Sequence, residues 1–184
     1  MKNSPLQMTT LFLTLFVAAL PLQSAARPLA QATPRISVAV LPLAPADTYL
    51  PYAPIPSSSE LGTLTRQLTA GVAELPIISL SRASVVNRAL ARRGYQQDSL
   101  ARSCIESSCA RQIGAADQAR VVVFGTVTRL MAVIWSTEIH VVDVASGNEL
   151  GQISGGYKGD YNSMVRGEHE VGAAAARLIA RKEK

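Results

Sequence analysis

Residues 120–144 have the sequence RVVVFGTVTRLMAVIWSTEIHVVDV, which contains two strong strand patterns, at 120–130 and 133–144. In the second pattern, polar residues alternate with the residues of one strand face, which are Trp135, Thr137, Ile139 and Val141. A period of two indicates a strand with one buried and one exposed face. The turn sequence ASGN (145–148) follows, and residues 149–157 predict a third strand. We expect these three strands to form an antiparallel meander.

The segment before this meander combines a strand pattern with a helix pattern. Residues 36–41 (ISVAVL) are β-branched and apolar, as expected of an interior strand, and Pro42 ends them. Ser57 and Glu60 have the spacing of a capping box at a helix start. Apolar residues then follow at intervals of three or four, which predicts a helix with one buried face; they are Leu61, Leu64, Leu68 and Val72.

A short strand is predicted at residues 77–80, followed by a second helix. Ser81 or Ser84 can cap that helix, and Gly94 stands where a glycine ends one. Residues 100–113 predict two short helical pieces joined at the cysteines, and Gly114 is predicted to end the second piece. Residues 151–159 predict a strand end and a flexible connection, and residues 162–181 predict a closing helix.

This order of elements predicts an α+β fold with an α/β-like start. We expect a four- or five-stranded mixed sheet with helices packed on it, and the C-terminal three-stranded meander followed by a helix. The 184 residues suit one domain, because 48% are hydrophobic and the net charge is only +5. These values exclude a disordered chain, and 12 glycines, 10 prolines and 2 cysteines exclude collagen-like and disulfide-dense scaffolds.

The N-terminal residues predict an export signal. Lys2 precedes an apolar run at 8–20, and the small residues SAA (24–26) fit a cleavage site. We therefore expect a signal peptide at 1–26, a flexible tail at 27–35 and one domain at 36–184, in the periplasm and without stable membrane insertion after cleavage. An uncleaved anchor is the alternative, although the run is shorter than the ~20 residues that span a bilayer. The cysteines lie far from the cleavage site, which argues against a lipid anchor.

Three motifs carry a resemblance to a known group: SCARQIGA (108–115), VVVFGTV (121–127) and VDVASG (142–147). Together they resemble exported bacterial domains of unknown function that are similar in layout to the TolB N-terminal domain and the CsgG/LpoB group. The resemblance covers about residues 36–181. It implies a non-catalytic envelope accessory protein that binds partners, as in curli secretion, the Tol system or activation of peptidoglycan synthases. The chain differs from that group in lacking a lipobox cysteine, a CsgG-like pore strand pair and TolB propeller repeats.

Cys104 and Cys109 have the spacing Cys-x4-Cys, which in an exported chain favours a disulfide. A redox catalyst would need Cys-x-x-Cys, and a zinc site would need two further ligands. Closing so short a loop stabilises a fold by about 2 kcal/mol. We therefore predict a structural disulfide.

The two histidines are the candidates for catalysis or metal binding. His140 shares a strand face with Glu138, and His169 lies between Glu168 and Glu170. Both segments have patterns typical of solvent-facing residues, and no nucleophile or oxyanion donor accompanies them. We expect no catalytic residue, no metal and no cofactor. A small envelope hydrolase is the alternative, and it would need a cleft that joins a histidine to a carboxylate.

Residues 43–59 form a long proline-rich segment and are the best candidate for binding. A loop beyond about 12–15 residues is usually functional or disordered, and its proline content lowers the entropy lost on binding. Tyr49, Leu50 and Tyr52 could anchor in a partner's groove; a solvated insertion is the alternative. Arg88 and Arg92, in an arginine-rich region, could add contacts to an acidic partner, or could simply form a solvated helix face.

The function predicted from the sequence is that of a non-catalytic periplasmic accessory protein that binds another cell-envelope protein. Its contacts would be the proline-rich loop, a sheet edge and the arginine-rich helix. Nucleic acid is not an expected partner outside the cytoplasm. A periplasmic small-ligand binder is a further alternative, which would need a deep apolar pocket that the sequence does not indicate.

Overall fold

The computed structural model describes residues 35–46, 54–97 and 102–182. Along the chain the elements are β1 (Ile36–Val40), β2 (Ala44–Pro45), α1 (Ser58–Val72), β3 (Ile78–Leu80), α2 (Ala83–Arg92), α3 (Ser107–Ala116), β4 (Val121–Met131), β5 (Ile134–Asp143), β6 (Glu149–Lys158) and α4 (Tyr161–Lys182). The predicted signal peptide and nearly all of the predicted tail lie outside the described residues. In the described part of the chain, every helix falls short of the length or apolar character needed to cross a membrane.

The strands form one mixed sheet in the order β3–β1–β4–β5–β6, and β2 pairs with β4 beside this path. β1 is parallel to both β3 and β4, whereas β4, β5 and β6 are successively antiparallel. The predicted fold class and the predicted C-terminal meander are therefore confirmed.

Helices α1 and α4 cover one face of the sheet, which we call the inner face. α1 begins with the predicted capping box: the Glu60 N–H donates to Ser57 Oγ at 3.3 Å, and the Ser57 N–H donates to Glu60 Oε2 at 2.8 Å. Its predicted apolar stripe is buried. The two helices approach closely at Gly71 and Gly172, where a Cβ on either residue would overlap backbone atoms of the other helix. Glycine allows the helices to pack backbone against backbone at this point.

Helices α2 and α3 cover part of the opposite face, which we call the outer face. Their buried residues pack against the sheet in a second core cluster whose strand members are Ala39, Val122, Phe124 and Val142. Residues 121–124 of β4 are buried continuously, because helices lie above and below this half of the strand. The C-terminal half of β4, with β5 and β6, carries helices on its inner face, while Glu138, Gln152 and Ser154 are exposed on its outer face.

Several local predictions were wrong, for identifiable reasons. Arg82, not Ser81 or Ser84, is the N-cap of α2, and its side chain makes no capping hydrogen bond. Gly114 lies inside α3 and does not end it. A Cβ at this position would overlap the side chains of Val122 and Val144. The glycine therefore serves helix–sheet packing. Gly94 does follow α2 as predicted, with φ of 77°.

The predicted flexible connection within residues 151–159 also differs from the structure. The second predicted helical piece is α3, which begins at Ser107 and continues past residue 113 to Ala116, while the first piece begins within residues 98–101, outside the described part of the chain. β6 continues through the glycine-rich stretch to Lys158, because those residues pair in register with β5, Gly155 opposite Thr137. Pairing with a neighbouring strand therefore overrides the low strand preference of glycine there.

Candidate functional site

The β4–β5 hairpin extends far beyond β1, whereas β6 accompanies β5 as far as Ile134, which pairs with Lys158. β1 pairs only with residues 121–123 of β4, whereas β4 runs on to Met131. At the end of this hairpin, Leu130, Met131 and Val133 are 38%, 60% and 49% exposed. Ile55, just before α1, is 75% exposed. We call the three hairpin residues, Leu130, Met131 and Val133, the apolar tip.

The apolar tip stands on a well-packed base. The Arg129 guanidinium lies 4.7 Å from the centroid of the Trp135 ring, and its Nη1 is 3.5 Å from Glu60 Oε1. Trp135 in turn packs against Tyr161, whose hydroxyl donates to the Glu60 carbonyl at 3.2 Å. These contacts join the hairpin to the first turns of α1 and α4. The apolar side chains are therefore presented on an ordered support, which limits the entropy lost when a partner binds.

The proline-rich segment enters and leaves near this same end of the molecule. Contrary to the prediction of an unstructured loop from residue 43, Ala44 and Pro45 form the short strand β2, and the Ala46 N–H donates to Val127 O at 2.9 Å. The lone proline is tolerated because β2 is a short strand at the side of the main sheet path. After the segment, the chain enters α1, whose Glu60 contacts Arg129. Tyr49, Leu50 and Tyr52 themselves lie outside the described residues.

Arg88 and Arg92 lie on the exposed side of α2, away from the apolar tip. With Arg93 they line a shallow groove of about 260 Å³ that also includes Ala116. Ala116 precedes β4, whereas the tip follows it, and the eleven residues of β4 span roughly 35 Å. The groove of the arginines thus includes a residue just before β4, whereas Ala46, at the root of the proline-rich segment, bonds to Val127 in the second half of β4.

The two histidines lie in separate environments. His140 Nδ1 is 2.8 Å from Glu149 Oε1, its Nε2 is 3.3 Å from Glu138 Oε1, and its ring stacks on Phe124 with centroids 5.2 Å apart. His169 Nε2 lies 3.6 Å from Glu74 Oε1, between α4 and the end of α1. Among the described residues, no group of three or more histidine, cysteine or acidic side chains is placed to hold a metal ion. The His140–Glu149 pair is on the outer face of the meander, where it holds the ring against Phe124.

The inner face buries a carboxyl group that the sequence pattern did not single out. Glu168 on α4 is fully buried, and neither carboxyl oxygen has a hydrogen-bond partner among the described residues. Burial raises the pKa of Glu168 to about 8, an effect that the nearby Thr137 hydroxyl partly opposes. Burial also raises the pKa of the Tyr157 phenol, and the charges of Glu168 and Glu170 add to that shift. Glu168 is thus neutral at neutral pH, which reduces the cost of burying it.

The predicted disulfide between Cys104 and Cys109 is present, with a Cα–Cα distance of 5.7 Å. Both cysteines are buried in the core cluster beneath α2. Their inaccessibility suits a structural bond that fixes the segment before α3, as predicted. Asp143 and Gly147 are turn residues, also as predicted: the Ser146 N–H donates to Asp143 Oδ1 at 2.7 Å, and Gly147 has φ of 75°. These hydrogen bonds from Ser146 lower the pKa of Asp143.

Solved structures share this arrangement of elements. The NMR structure of LpoB from Escherichia coli superposes with a TM-score of 0.50 at 14% identity, over 86% of this chain and 87% of LpoB. The fold is LpoB-like. The lipoprotein GNA1162 from Neisseria meningitidis gives a TM-score of 0.48 at 15% identity, over 80% of this chain and 96% of that one. TolB from Acinetobacter baumannii gives 0.44 at 12% identity, over 82% of this chain and 28% of TolB.

No protein-family model and no curated protein sequence matches the chain. The LpoB-like fold agrees with the resemblance inferred from the three sequence motifs. At this low identity the likeness concerns the fold alone, so function has to be argued from this chain's own surfaces.

Proposed function

We propose that this chain is a non-catalytic accessory protein of the periplasm that binds another cell-envelope protein. The observation that carries the proposal is the apolar tip, which exposes three large side chains at the end of the β4–β5 hairpin. Exposed apolar side chains that cluster on an ordered support are typical of protein–protein contact sites. The LpoB-like fold supports the envelope setting, through the group that the sequence motifs resemble.

Tyr49, Leu50 and Tyr52 belong to the same proposed contact, since both described ends of their segment lie beside the base of the tip. Aromatic and aliphatic anchors next to an apolar patch suit a partner with a hydrophobic groove. Arg88 and Arg92 are proposed as a separate, weaker contact for an acidic region of the partner. Charged rim contacts of this kind mainly change the association rate and its salt dependence.

The same proposal covers the processing of the chain. Residues 1–26 are proposed as a signal peptide, 27–35 as a tail and 36–184 as one exported domain of the unknown-function group that the motifs resemble. N-terminal sequencing of the protein purified from the periplasm tests this. An N-terminus at Arg27 supports cleavage after Ala26, whereas an N-terminus at Met1 contradicts it.

Crosslinking and affinity capture from the periplasm test the partner. The wild-type protein is compared with Met131→Glu/Val133→Glu, with a chain shortened across residues 49–56, and with Ser154→Glu as a control on the uncovered outer face. We expect one envelope protein, identified by mass spectrometry and then purified, to bind the wild type and the control alike. Its affinity for the tip variant should fall at least tenfold, because charged side chains would have to be buried on binding.

The stability of the variants separates loss of binding from loss of folding. Met131 and Val133 are exposed, so the tip variant should unfold within about 0.5 kcal/mol of the wild type. Binding of the purified partner with undiminished affinity by the tip variant would reject the tip as the contact. Hydrolysis of envelope substrates by the purified protein, abolished by His140→Ala, would instead favour the hydrolase alternative.

A further inference from the structure

A concave cavity of about 360 Å³ lies at the carboxyl ends of β1 and β3. Its walls come from the residues after β1, the first half of α1, the end of β3 and the first turns of α2; they are Val40, Pro42, Leu43, Ser58, Leu61, Gly62, Thr65, Thr69, Leu80, Ser81, Ala83, Asn87 and Gln97. A volume of this size falls within the range of small-molecule sites, ~300–1,000 Å³.

The position of the cavity follows from the topology of the sheet. β1 and β3 are parallel neighbours, with Val38 opposite Leu80. The helix that follows β1 packs on the inner face, in the cluster of Val38, whereas the helix that follows β3 packs on the outer face, in the cluster of Ala39. Where the connections from adjacent parallel strands leave toward opposite faces, a crevice opens at the carboxyl ends of the strands. Open α/β sheets bind their ligands at such crevices.

The chemistry of the walls defines what can occupy the cavity. None of the lining residues carries a charge, and the apolar part of the lining surface is larger than the polar part. Two of the polar groups are already used: Thr65 Oγ1 accepts from Leu43 N at 2.9 Å, and Gln97 Nε2 donates to Pro42 O at 2.7 Å. These bonds hold the residues after β1 in place. They make the wall a preformed structure.

Two other polar groups are free to bind a ligand. Within the described residues, the side chains of Asn87 and Ser81 make no hydrogen bond, although both line the cavity. A hydroxyl and a primary amide at the rim of an apolar cavity can donate and accept hydrogen bonds without attracting ions. A charged ligand would lose its hydration against a wall whose lining residues are all uncharged.

We propose that this cavity binds a neutral, mostly apolar small molecule that carries one amide, amine or hydroxyl group, with Asn87 and Ser81 as the residues that bind this group. The cavity shares no lining residue with the exposed hairpin end, Leu130, Met131 and Val133. A chain with an LpoB-like fold thereby gains a second, ligand-dependent function next to α1 and α2.

Gly62 provides a substitution that fills the cavity without damage to the fold. It lies on α1 and lines the cavity, and a Cβ there would contact only the far end of the Arg66 side chain, at 3.8 Å. Leucine is also a better helix former than glycine. Ala70→Leu is the matched control, because Ala70 is an exposed residue of the same helix that does not line the cavity.

The test is a fluorescence titration of the full protein with N-phenyl-1-naphthylamine, a neutral apolar dye with one N–H group. We expect saturable binding to one site in the wild type and in Ala70→Leu, and none in Gly62→Leu. Asn87→Ala should weaken binding about 3- to 10-fold, as for loss of one hydrogen bond. The sulfonated analogue 8-anilino-1-naphthalenesulfonate should bind the wild type at least tenfold more weakly, because the sulfonate would lose its hydration and no lining residue carries a positive charge.

Circular dichroism and thermal melting confirm that each variant is folded before titration. Absence of saturable binding to the wild type would overturn the proposal. Equal binding by Gly62→Leu would overturn it too, since the dye would then occupy another surface such as the tip. Equal affinity for the neutral and the sulfonated dye would contradict the assignment of a neutral ligand.

Discussion

The inner face of the sheet is covered by α1 and α4 along the meander, whereas the outer face is covered by α2 and α3 only over the first half of β4. This difference is visible in the sequence of β4. Val121–Phe124 is continuously apolar where helices lie on both sides, and beyond this stretch buried and partly exposed residues alternate. β5 alternates from Ile134 to Val141, with Trp135 and Ile139 buried and Glu138 exposed, and Val142 beyond it is buried under the outer helices. The hydrophobic pattern of a strand thus indicates where the second helical layer stops.

The largest change in the free energy of unfolding is expected from Glu168, the buried carboxyl group of the inner face. In the unfolded chain Glu168 releases its proton near its ordinary pKa of 4.5, whereas the folded protein retains it up to about pH 8. The folded state therefore binds more protons in this window, and its free energy of unfolding should fall by up to about 1.4 kcal/mol per pH unit as pH rises, or about 3 kcal/mol between pH 5 and pH 7.

Urea denaturation of the wild type and Glu168→Gln at several pH values measures this effect. The difference between the two proteins cancels the contributions of the other titrating groups. A stability difference that does not change between pH 5 and pH 8 would show that Glu168 ionises normally in the folded protein.

The second effect concerns the close approach of the inner-face helices. Gly172→Ala places a methyl group against the Leu68 carbonyl of α1, so the helices must separate. We expect the free energy of unfolding to fall by about 2–3 kcal/mol, as in other overpacked cores. The same substitution at Gly62, where the methyl group meets only the end of the Arg66 side chain at 3.8 Å, should raise it by about 0.5–1 kcal/mol. Equal effects of the two substitutions in chemical denaturation would contradict the proximity of the helices.

The third effect belongs to the covered half of the outer face. Replacing both Cys104 and Cys109 by serine removes the cross-link of a short loop and should lower the free energy of unfolding by about 2 kcal/mol. Dithiothreitol should lower the stability of the wild type by a similar amount and leave that of the double variant unchanged. If complete reduction leaves the free energy of unfolding of the wild type unchanged, the disulfide does not stabilise this face.

The smallest effect is expected on the uncovered half of the outer face. Ser154 is exposed there, opposite Glu138 on β5, so Ser154→Val should change the free energy of unfolding by no more than about 0.5 kcal/mol. Valine favours strands, which sets the expected sign toward a small gain. A loss above about 1 kcal/mol in urea denaturation would mean that this face is covered by another part of the chain.

The fold could be predicted from the sequence wherever the apolar residues followed a single strand or helix period. The alternation at 133–144, the leucine stripe of α1 and the capping box at Ser57 are local signals, and each was confirmed. Gly114 was misassigned because its role depends on Val122 and Val144, which lie in other elements, and a glycine that ends a helix has the same local appearance. The strand pairing of Gly155 was missed for the same reason, since β5 supplies it.

The candidate surfaces were less accessible to sequence reasoning. In the sequence, Leu130, Met131 and Val133 resemble ordinary strand residues. They are exposed because the hairpin extends beyond the end of β1. The excess of apolar residues at a predicted hairpin turn was the one available signal. The cavity could not be predicted either, because it arises where connections from β1 and β3 leave toward different faces, and this is a property of the topology.

The aromatic contact at the base of the tip has a practical consequence. Trp135 is the only tryptophan of the chain and is almost completely buried, between the Arg129 guanidinium and Tyr161. Its intrinsic emission therefore comes from one defined place, beneath the exposed hairpin end. Unfolding should shift that emission to longer wavelength, and a protein that docks on the hairpin should change its intensity. One unlabelled side chain thus reports on both folding and association.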